Sequence, residues 1–384
     1  MYWYLVTWLR GLQYIMNISI FASIGSQNLW DELILKNEIE LLKQEFWEDT
    51  QFQVASYDSK NPLFQIPNTK YFEYFPLGIK NPKNIWRNMK SFFNFLSVIF
   101  WSDRVVIGWG GIMYDSEIQS VWDPLNQWIF RVQIARFFRK KIYFYAVWVD
   151  IKQEENLKKI KKIFKKAWKI TVRDEKSQEQ LKSVGIQSDV INDPVMWDNF
   201  SLKTHPNPLL EEREQATIQM QPLSPWGERI QEWGFRGDIL GIHNSRNFSL
   251  RDFENYDFQD KKIWLALRSW YIGNTKNTQL ERLLIEELCS FIEKKWGKIV
   301  FLPHSLHQTD EQANDYEYMK QFLNYDRDIY TSLWEVYTAY THHTVDVIIS
   351  MRLHSMILWY IYWIPQIALS YSQKTDEVIK KLST

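Results

Sequence analysis

The sequence predicts an α/β protein of two domains, each a doubly wound parallel sheet. Three observations lead there. The chain has 384 residues, too many for one ordinary core and suited to two. Short β-branched runs alternate with amphipathic helical stretches through both halves. Residues 200–260 break that rhythm with Pro206, Pro208, Pro222, Pro225 and scattered charge. The expected division is therefore a domain over 16–200, a linker with an inserted segment over 201–260 and a second domain over 261–384. Residues 1–15 are expected to be a non-native or mis-annotated extension, with Met16 as the start, because the first strand begins directly after it.

Asn17–Gly25 (NISIFASIG) reads as a buried strand and a loop. Asp31–Glu45 reads as an amphipathic helix whose first turn carries Asp31 and Glu32, suited to the positive end of the helix dipole. Strands are expected at Gln51–Tyr57, Asp103–Gly108, Lys141–Val149, Lys169–Arg173 and Ser188–Val195. Helices are expected at Asn84–Phe100, Pro124–Phe138, Gln153–Ala167 and Glu175–Val184, the last closed by Gly185. The lysine run of Gln153–Ala167 reads as a solvated face. After the interruption, strands are expected at Lys262–Leu267, Lys298–Leu302, Asp328–Tyr330, Val345–Ser350 and Gln366–Ser370. Helices are expected at Thr278–Lys295, Asp310–Leu323, Ser332–His342, Ser355–Trp363 and Lys374–Leu382. Two such domains facing each other would place ligands at the carboxyl ends of the strands.

Composition narrows the function. Lys+Arg and Asp+Glu both number 46, giving a formal net charge of zero, so nothing electrostatic in the composition points to nucleic acid or an anionic membrane surface as the main partner. The single cysteine, Cys289, can form no internal disulfide, and its apolar surroundings read as core, which fits a reducing cytoplasm. No run reaches the roughly 18 apolar residues of a membrane span. Peripheral association at the inner face of the membrane stays open, with the apolar residues 1–15 as one means of docking.

The tryptophans are anomalous. There are 20 Trp and 13 Gly, whereas Gly at about 7% of residues would number roughly 27. Several Trp stand where a chain wants positive φ or close backbone approach: Trp30 before an acidic helix start, Trp109 inside Gly108-Trp109-Gly110-Gly111, Trp226 and Trp296 beside glycines, and Trp363 before Ile364-Pro365. The expectation is that UGA encodes glycine in the native cell and is rendered here as Trp.

Three clusters that could carry chemistry fall at strand ends. Gly108-Trp109-Gly110-Gly111, followed by Asp115, reads as a tight turn or as a loop whose backbone N–H groups approach an anion; the dinucleotide fingerprint is absent. Arg173, in Val172-Arg173-Asp174, is a fork for a carboxylate or phosphate, or a salt bridge to Asp174. Arg352 and His354, in Ser350-Met351-Arg352-Leu353-His354-Ser355, stand at a strand-to-helix junction that favours anions. Phe301-Leu302-Pro303-His304-Ser305 adds a second strand-end histidine. His304, His307 and Asp310 are too loosely spaced to read as metal ligands, and His342 and His343 suit a helix end. No nucleophile elbow or Walker loop is present.

Taken in order, these pieces resemble the polysaccharide pyruvyl transferase family. They are Gly25-Ser26-Gln27-Asn28-Leu29-Trp30-Asp31-Glu32, Gly108-Trp109-Gly110-Gly111, Ile170-Thr171-Val172-Arg173-Asp174 with Ser177, Asp193-Pro194, Phe301-Leu302-Pro303-His304, Ser350-Met351-Arg352-Leu353-His354, and Trp363-Ile364-Pro365 with Tyr371 and Lys374. The likeness runs from about residue 16 to 382. It departs from the family at Trp30, Trp109, Trp148 and Trp363, where the family pattern looks like glycine. The resemblance implies two facing Rossmann-like domains, as in the B-type glycosyltransferases, with no cofactor and no metal. It implies phosphoenolpyruvate as donor and, as acceptor, a sugar of a bacterial cell-surface glycan, polymeric or lipid-linked. Arg173, Arg352, the N–H of Leu353, Gly110 and Gly111 would hold the donor, and His354 or His304 would move protons. Asn28, Asp31 and Glu32 would meet the acceptor or cap the helix. A nucleotide-sugar glycosyltransferase and a noncatalytic glycan-binding or assembly protein remain the alternatives.

Overall fold

A computed structural model describes residues 15–75, 85–115, 123–191, 194–197, 240–243, 246–248, 257–268, 278–307, 314–342, 344–362, 364 and 366–368. They form two seven-stranded sheets. The chain divides into two compact units, Met1–Ser26 with Asp31–Trp197 and Gln27–Trp30 with Asp198–Thr384. The expectations for residues 1–14, Asp193, Asp310, His343, Trp363, Tyr371, Lys374 and the last helix lie outside the described residues.

The first unit runs β1 (Asn17–Phe21), α1 (Leu29–Phe46), β2 (Gln51–Ser56), β3 (Thr69–Glu73), α2 (Ile85–Trp101) and β4 (Arg104–Tyr114). It continues with α3 (Pro124–Phe137), β5 (Lys141–Asp150), α4 (Glu154–Phe164), β6 (Lys169–Val172), α5 (Glu175–Ser183) and β7 (Asp189–Val190). The sheet order is β3-β2-β1-β4-β5-β6-β7, with every neighbouring pair parallel. Strands covered on both faces are mostly apolar, as in Ile18, Ile20 and Phe21 of β1 and Val105, Val106 and Ile107 of β4. On one face Phe21, Val105, Ile107 and Phe144 pack with Phe95, Val98, Val132, Ile160 and Phe164 of α2, α3 and α4. Each such side chain contributes about 1.5–3 kcal/mol by leaving water.

Carboxylates fix the helix starts. Asp123 accepts from Asn126 N at 2.8 Å and caps α3, with Pro124 in its first turn. Asp174 accepts from Ser177 N at 2.7 Å and caps α5. Gln153 caps α4 only with backbone; Asp115 supplies the acceptor from across the fold, to Lys152 N at 2.6 Å and Gln153 N at 2.9 Å.

Glu38 of α1 is fully buried, and neither carboxylate oxygen has a hydrogen-bond partner. It lies against Gly108, where a Cβ would stand 3.1 Å from Glu38 Oε2. Burial holds its pKa well above 4.5. The folded chain therefore keeps a proton that the unfolded chain releases, so stability is greatest below the unfolded pKa and falls as pH rises through the folded one. Glu38→Gln should flatten that decline and raise stability near neutral pH by about 1 kcal/mol or more. Urea unfolding of both proteins at acidic and mildly basic pH checks this.

The second unit runs β8 (Leu240–His243), β9 (Arg246–Phe248), β10 (Lys262–Ala266), α6 (Thr278–Lys294), β11 (Lys298–Phe301) and α7 (Asp315–Met319). Then come β12 (Asp328–Ile329), α8 (Leu333–Thr341), β13 (Val347–Ser350), α9 (Leu353–Tyr362) and β14 (Gln366–Ala368). The order is β12-β11-β10-β13-β14-β8-β9. The first five strands are parallel, and β8 and β9 add an antiparallel hairpin. Cys289 is core here, its thiol pushed up to about 12 chiefly by burial. Arg327 binds Glu293 at 2.5 and 3.0 Å and Glu286 at 2.9 Å. Ser332 and Glu335 close a capping box at α8.

Two expectations change. The strand predicted to end at Gly108 continues to Tyr114, because β5 is long enough to keep pairing: Gly108 faces Tyr145 and Gly110 faces Val147, with a register irregularity before Met113. Gly110 and Gly111 are thus strand residues rather than a turn. The stretch assigned to linker and insertion contains the β8–β9 hairpin, whose strands of four and three residues are too short to show a period. Among the described residues no helix is long and apolar enough to cross a membrane.

Candidate functional site

In each sheet the strand order reverses once, between β1 and β4 in the first unit and between β10 and β13 in the second. Ligands of open α/β sheets bind outside the carboxyl ends of the strands at such a reversal. In the second unit these ends carry Arg268 after β10 and Arg352 after β13.

Arg352 is held by Asp315, the first residue of α7. Asp315 is buried and also accepts from the backbone N–H groups of His304 and Ser305, both at 3.1 Å. Burial pushes its pKa up, partly offset by the charges of Arg352 and Arg268 and by the N–H of His304. Two guanidinium charges thus act on one carboxylate beside the reversal point. Arg352 Nε is buried and has no hydrogen-bond acceptor, an unusual state for a charged donor. The backbone of Arg352 is fixed by Ser350 Oγ, which accepts from its N–H and donates to its C=O, both at 3.1 Å. Leu353 opens α9, whose leading N–H groups have no partner inside the helix.

His304 is also buried. Its Nδ1 lies 3.0 Å from Leu302 O and its Nε2 lies 2.8 Å from Tyr340 Oη, which in turn lies 2.8 Å from Ser355 Oγ. The carbonyl requires the proton on Nδ1, so Nε2 accepts from Tyr340. Burial first, and Arg352 second, lower its pKa to about 3. His304 is therefore neutral near pH 7, with both nitrogens engaged in the interior. His354 is half-buried, its ring stacked on Trp30 at 4.5 Å and 5°.

The segment Gln27–Trp30 belongs to this unit. Leu29 N donates to His304 O at 3.0 Å and Leu306 N to Gln27 O at 2.9 Å. Asn28 accepts from Trp30 N at 3.1 Å, which is the capping role.

In the first unit, Glu32 accepts from Gly25 N at 2.8 Å and is raised to about 7, mainly by burial. Gly25, at φ 76°, can be nothing but glycine, since a Cβ would stand 2.3 Å from Ser56 Oγ. Asp31 lies 3.5 Å from Ser26 Oγ. Arg173 follows β6, its guanidinium 5.4 Å from the Trp148 ring centre. Trp148 is brought there by a bulge in β5, where Ala146 takes φ 49° and bonds Thr171 Oγ1 at 2.9 Å. Arg268 and Asp315 were not singled out in the sequence. Arg268 carried a readable signal, an arginine directly after a strand; Asp315 did not.

The chain is similar to solved structures of low identity. A putative UDP-N-acetylglucosamine 2-epimerase from Listeria monocytogenes shares 11% identity at TM-score 0.49, over 96% of this chain and 82% of that one. UDP-GlcNAc 2-epimerase from Methanocaldococcus jannaschii shares 12% at TM-score 0.47, over 95% and 92%. ADP-heptose lps heptosyltransferase II from E. coli shares 10% at TM-score 0.43, over 92% and 84%. No curated protein sequence matches significantly. The family model for polysaccharide pyruvyl transferases matches residues 31–373, nearly the whole length. The chain belongs to the polysaccharide pyruvyl transferase family.

Proposed function

We propose that the protein transfers a pyruvyl group from phosphoenolpyruvate to two hydroxyls of one sugar in a cell-surface glycan, polymeric or lipid-linked, on the cytoplasmic side. The observation that carries this reading is the Arg352–Asp315 pair at the sheet reversal, where Arg352 keeps a buried guanidinium N–H lacking an acceptor and Arg268 lies close enough to act on the same carboxylate. A small polyanion bearing carboxylate and phosphate suits it. In the reaction the methylene carbon takes a proton and becomes methyl. The central carbon accepts two sugar oxygens, and its bond to the phosphate oxygen breaks. Of the two hydroxyl protons, one balances the proton placed on carbon and the other leaves with phosphate.

His354 is assigned the proton transfer and Arg352 the donor's anionic groups, with the N–H of Leu353 assisting. Gly110 and Gly111 keep a donor-side assignment, as strand backbone. Arg173 is a separate anion-binding candidate, tested by its own alanine variant; unchanged donor affinity there would leave donor binding to the second unit. His354→Ala should lower kcat by about 10²–10⁴-fold with little change in donor affinity. Near-normal turnover would remove His354 from the chemistry.

The tryptophan excess belongs to the same reading: glycine is proposed at 30, 109, 148 and 363 in the native cell, and at 296. Trp296 supports it, since it takes φ 64° at the end of α6. Its N–H bonds Glu293 O at 2.9 Å and the N–H of Gly297 bonds Ile292 O at 3.1 Å. That is the helix-closing pattern in which the left-handed residue is usually glycine, and where any L side chain costs about 1–2 kcal/mol. The indole N–H groups of Trp30 and Trp109 are buried without acceptors.

A further inference from the structure

One face of the first unit is built by α2, α3 and α4, which share one core beneath them. The outer side of α2 carries large apolar side chains among its polar ones. Trp86, Met89, Phe93 and Phe100 are exposed, with Phe93 at 62% and Phe100 at 71%. Their spacing places them on one stripe of the helix. Phe137, at the end of α3, is 79% exposed and continues the stripe through Phe138, whose ring stands 6.1 Å from Phe100 and 5.3 Å from Phe137.

The helix ends are tied together. Lys140 Nζ donates to Phe100 O at 2.8 Å and Ser102 O at 2.5 Å. Arg136 donates to Lys162 O at 2.9 Å, to Ile163 O at 2.8 Å and to Lys165 O. The aromatic stripe thus adjoins the exposed Lys158, Lys161 and Lys162 of α4 and Lys165 just after it. Neither α2 nor α3 contains an acidic residue, and those of α4 stand in its first turn. In a chain of zero net charge, this face is locally cationic around an apolar centre.

We infer that this face docks on a bilayer surface carrying anionic headgroups. Aromatic side chains enter the headgroup–acyl boundary while the lysine rim meets the lipid charge, the division of labour of an interfacial helix. A second copy of the chain fits less well, because a twofold pair would set each cationic rim against its like. The inference rests on Met89, Phe93, Phe100, Phe137 and the lysines, so it stands whatever occupies position 86. It is also independent of which donor the enzyme uses.

The test is cosedimentation of the full chain with phosphatidylglycerol–phosphatidylcholine vesicles and with phosphatidylcholine vesicles alone. Binding is expected to the first and not the second, and to weaken as salt rises. The F93S/F100S/F137S variant should lose at least about tenfold in bound fraction while its unfolding midpoint stays near that of the parent. A K158Q/K161Q/K162Q/K165Q variant, which leaves the aromatic residues in place, should lose the preference for anionic vesicles. Absence of binding by the parent chain, or undiminished binding by both variants, would overturn the inference. So would a lipid-free dimer dissolved by the serine substitutions, which would assign the face to a second copy.

Discussion

Arg352→Ala is expected to lower kcat/KM for phosphoenolpyruvate by at least about 10²-fold, the scale of losing one preorganised charged donor at a reacting anion. It should also weaken the fold. Asp315 is buried and would lose its ion-pair partner, and breaking a buried pair from one side costs about 3–5 kcal/mol. That cost depends on pH in a stated direction. Burial already raises the Asp315 pKa against the pull of Arg352, and removing the guanidinium raises it further. Below the unfolded carboxyl pKa, Asp315 is protonated in both states and the loss is small. As pH rises through the variant's folded pKa, the stability gap to the parent should widen. Denaturant titrations of both proteins across that range measure the gap. A constant gap would mean that Asp315 does not carry the charge assigned to it.

Trp109→Gly has the second largest expected effect, and its sign is informative. Trp109 is fully buried within β4. In a protein evolved around that indole, truncation would leave a cavity and cost about 3–5 kcal/mol. If glycine is the native residue, the Gly108–Gly111 strand was shaped without a side chain there, and Trp109→Gly should raise the thermal midpoint instead. Trp30→Gly should act on the site itself, because Trp30 covers one face of the His354 ring; its removal is expected to raise turnover. Peptide masses of protein isolated from the native cell give the residues directly, and Trp at 30, 109, 148 and 363 would end the proposal.

Much of the fold was legible because its causes are local. Apolar strand runs, Asp123, Asp174, Ser332 and Gly185 mark where elements start and stop, and each is visible within a few residues. Arg352 and His354 were legible for the same reason, since a strand–turn–helix junction is a short-range pattern. What could not be read depends on distant partners. Asp315 looks like an ordinary acidic residue at a helix start, yet it is buried by contact with Arg352, 37 residues away. His304 looks like a free strand-end base until Tyr340 and Leu302 are seen to engage both its nitrogens. The continuation of β4 past Gly108 depends on the length of its neighbour β5, which glycine content alone does not reveal.

The most direct measurement is the thermal shift of a chain beginning at Met16, with glycine at positions 30, 109, 148 and 363, against phosphoenolpyruvate and a panel of nucleotide sugars. A ligand held only by the folded state raises its midpoint by mass action. Pyruvyl transfer predicts a shift with phosphoenolpyruvate that disappears in Arg352→Ala and no shift with the nucleotide sugars. A shift with a nucleotide sugar alone would contradict it and make the protein a glycosyltransferase.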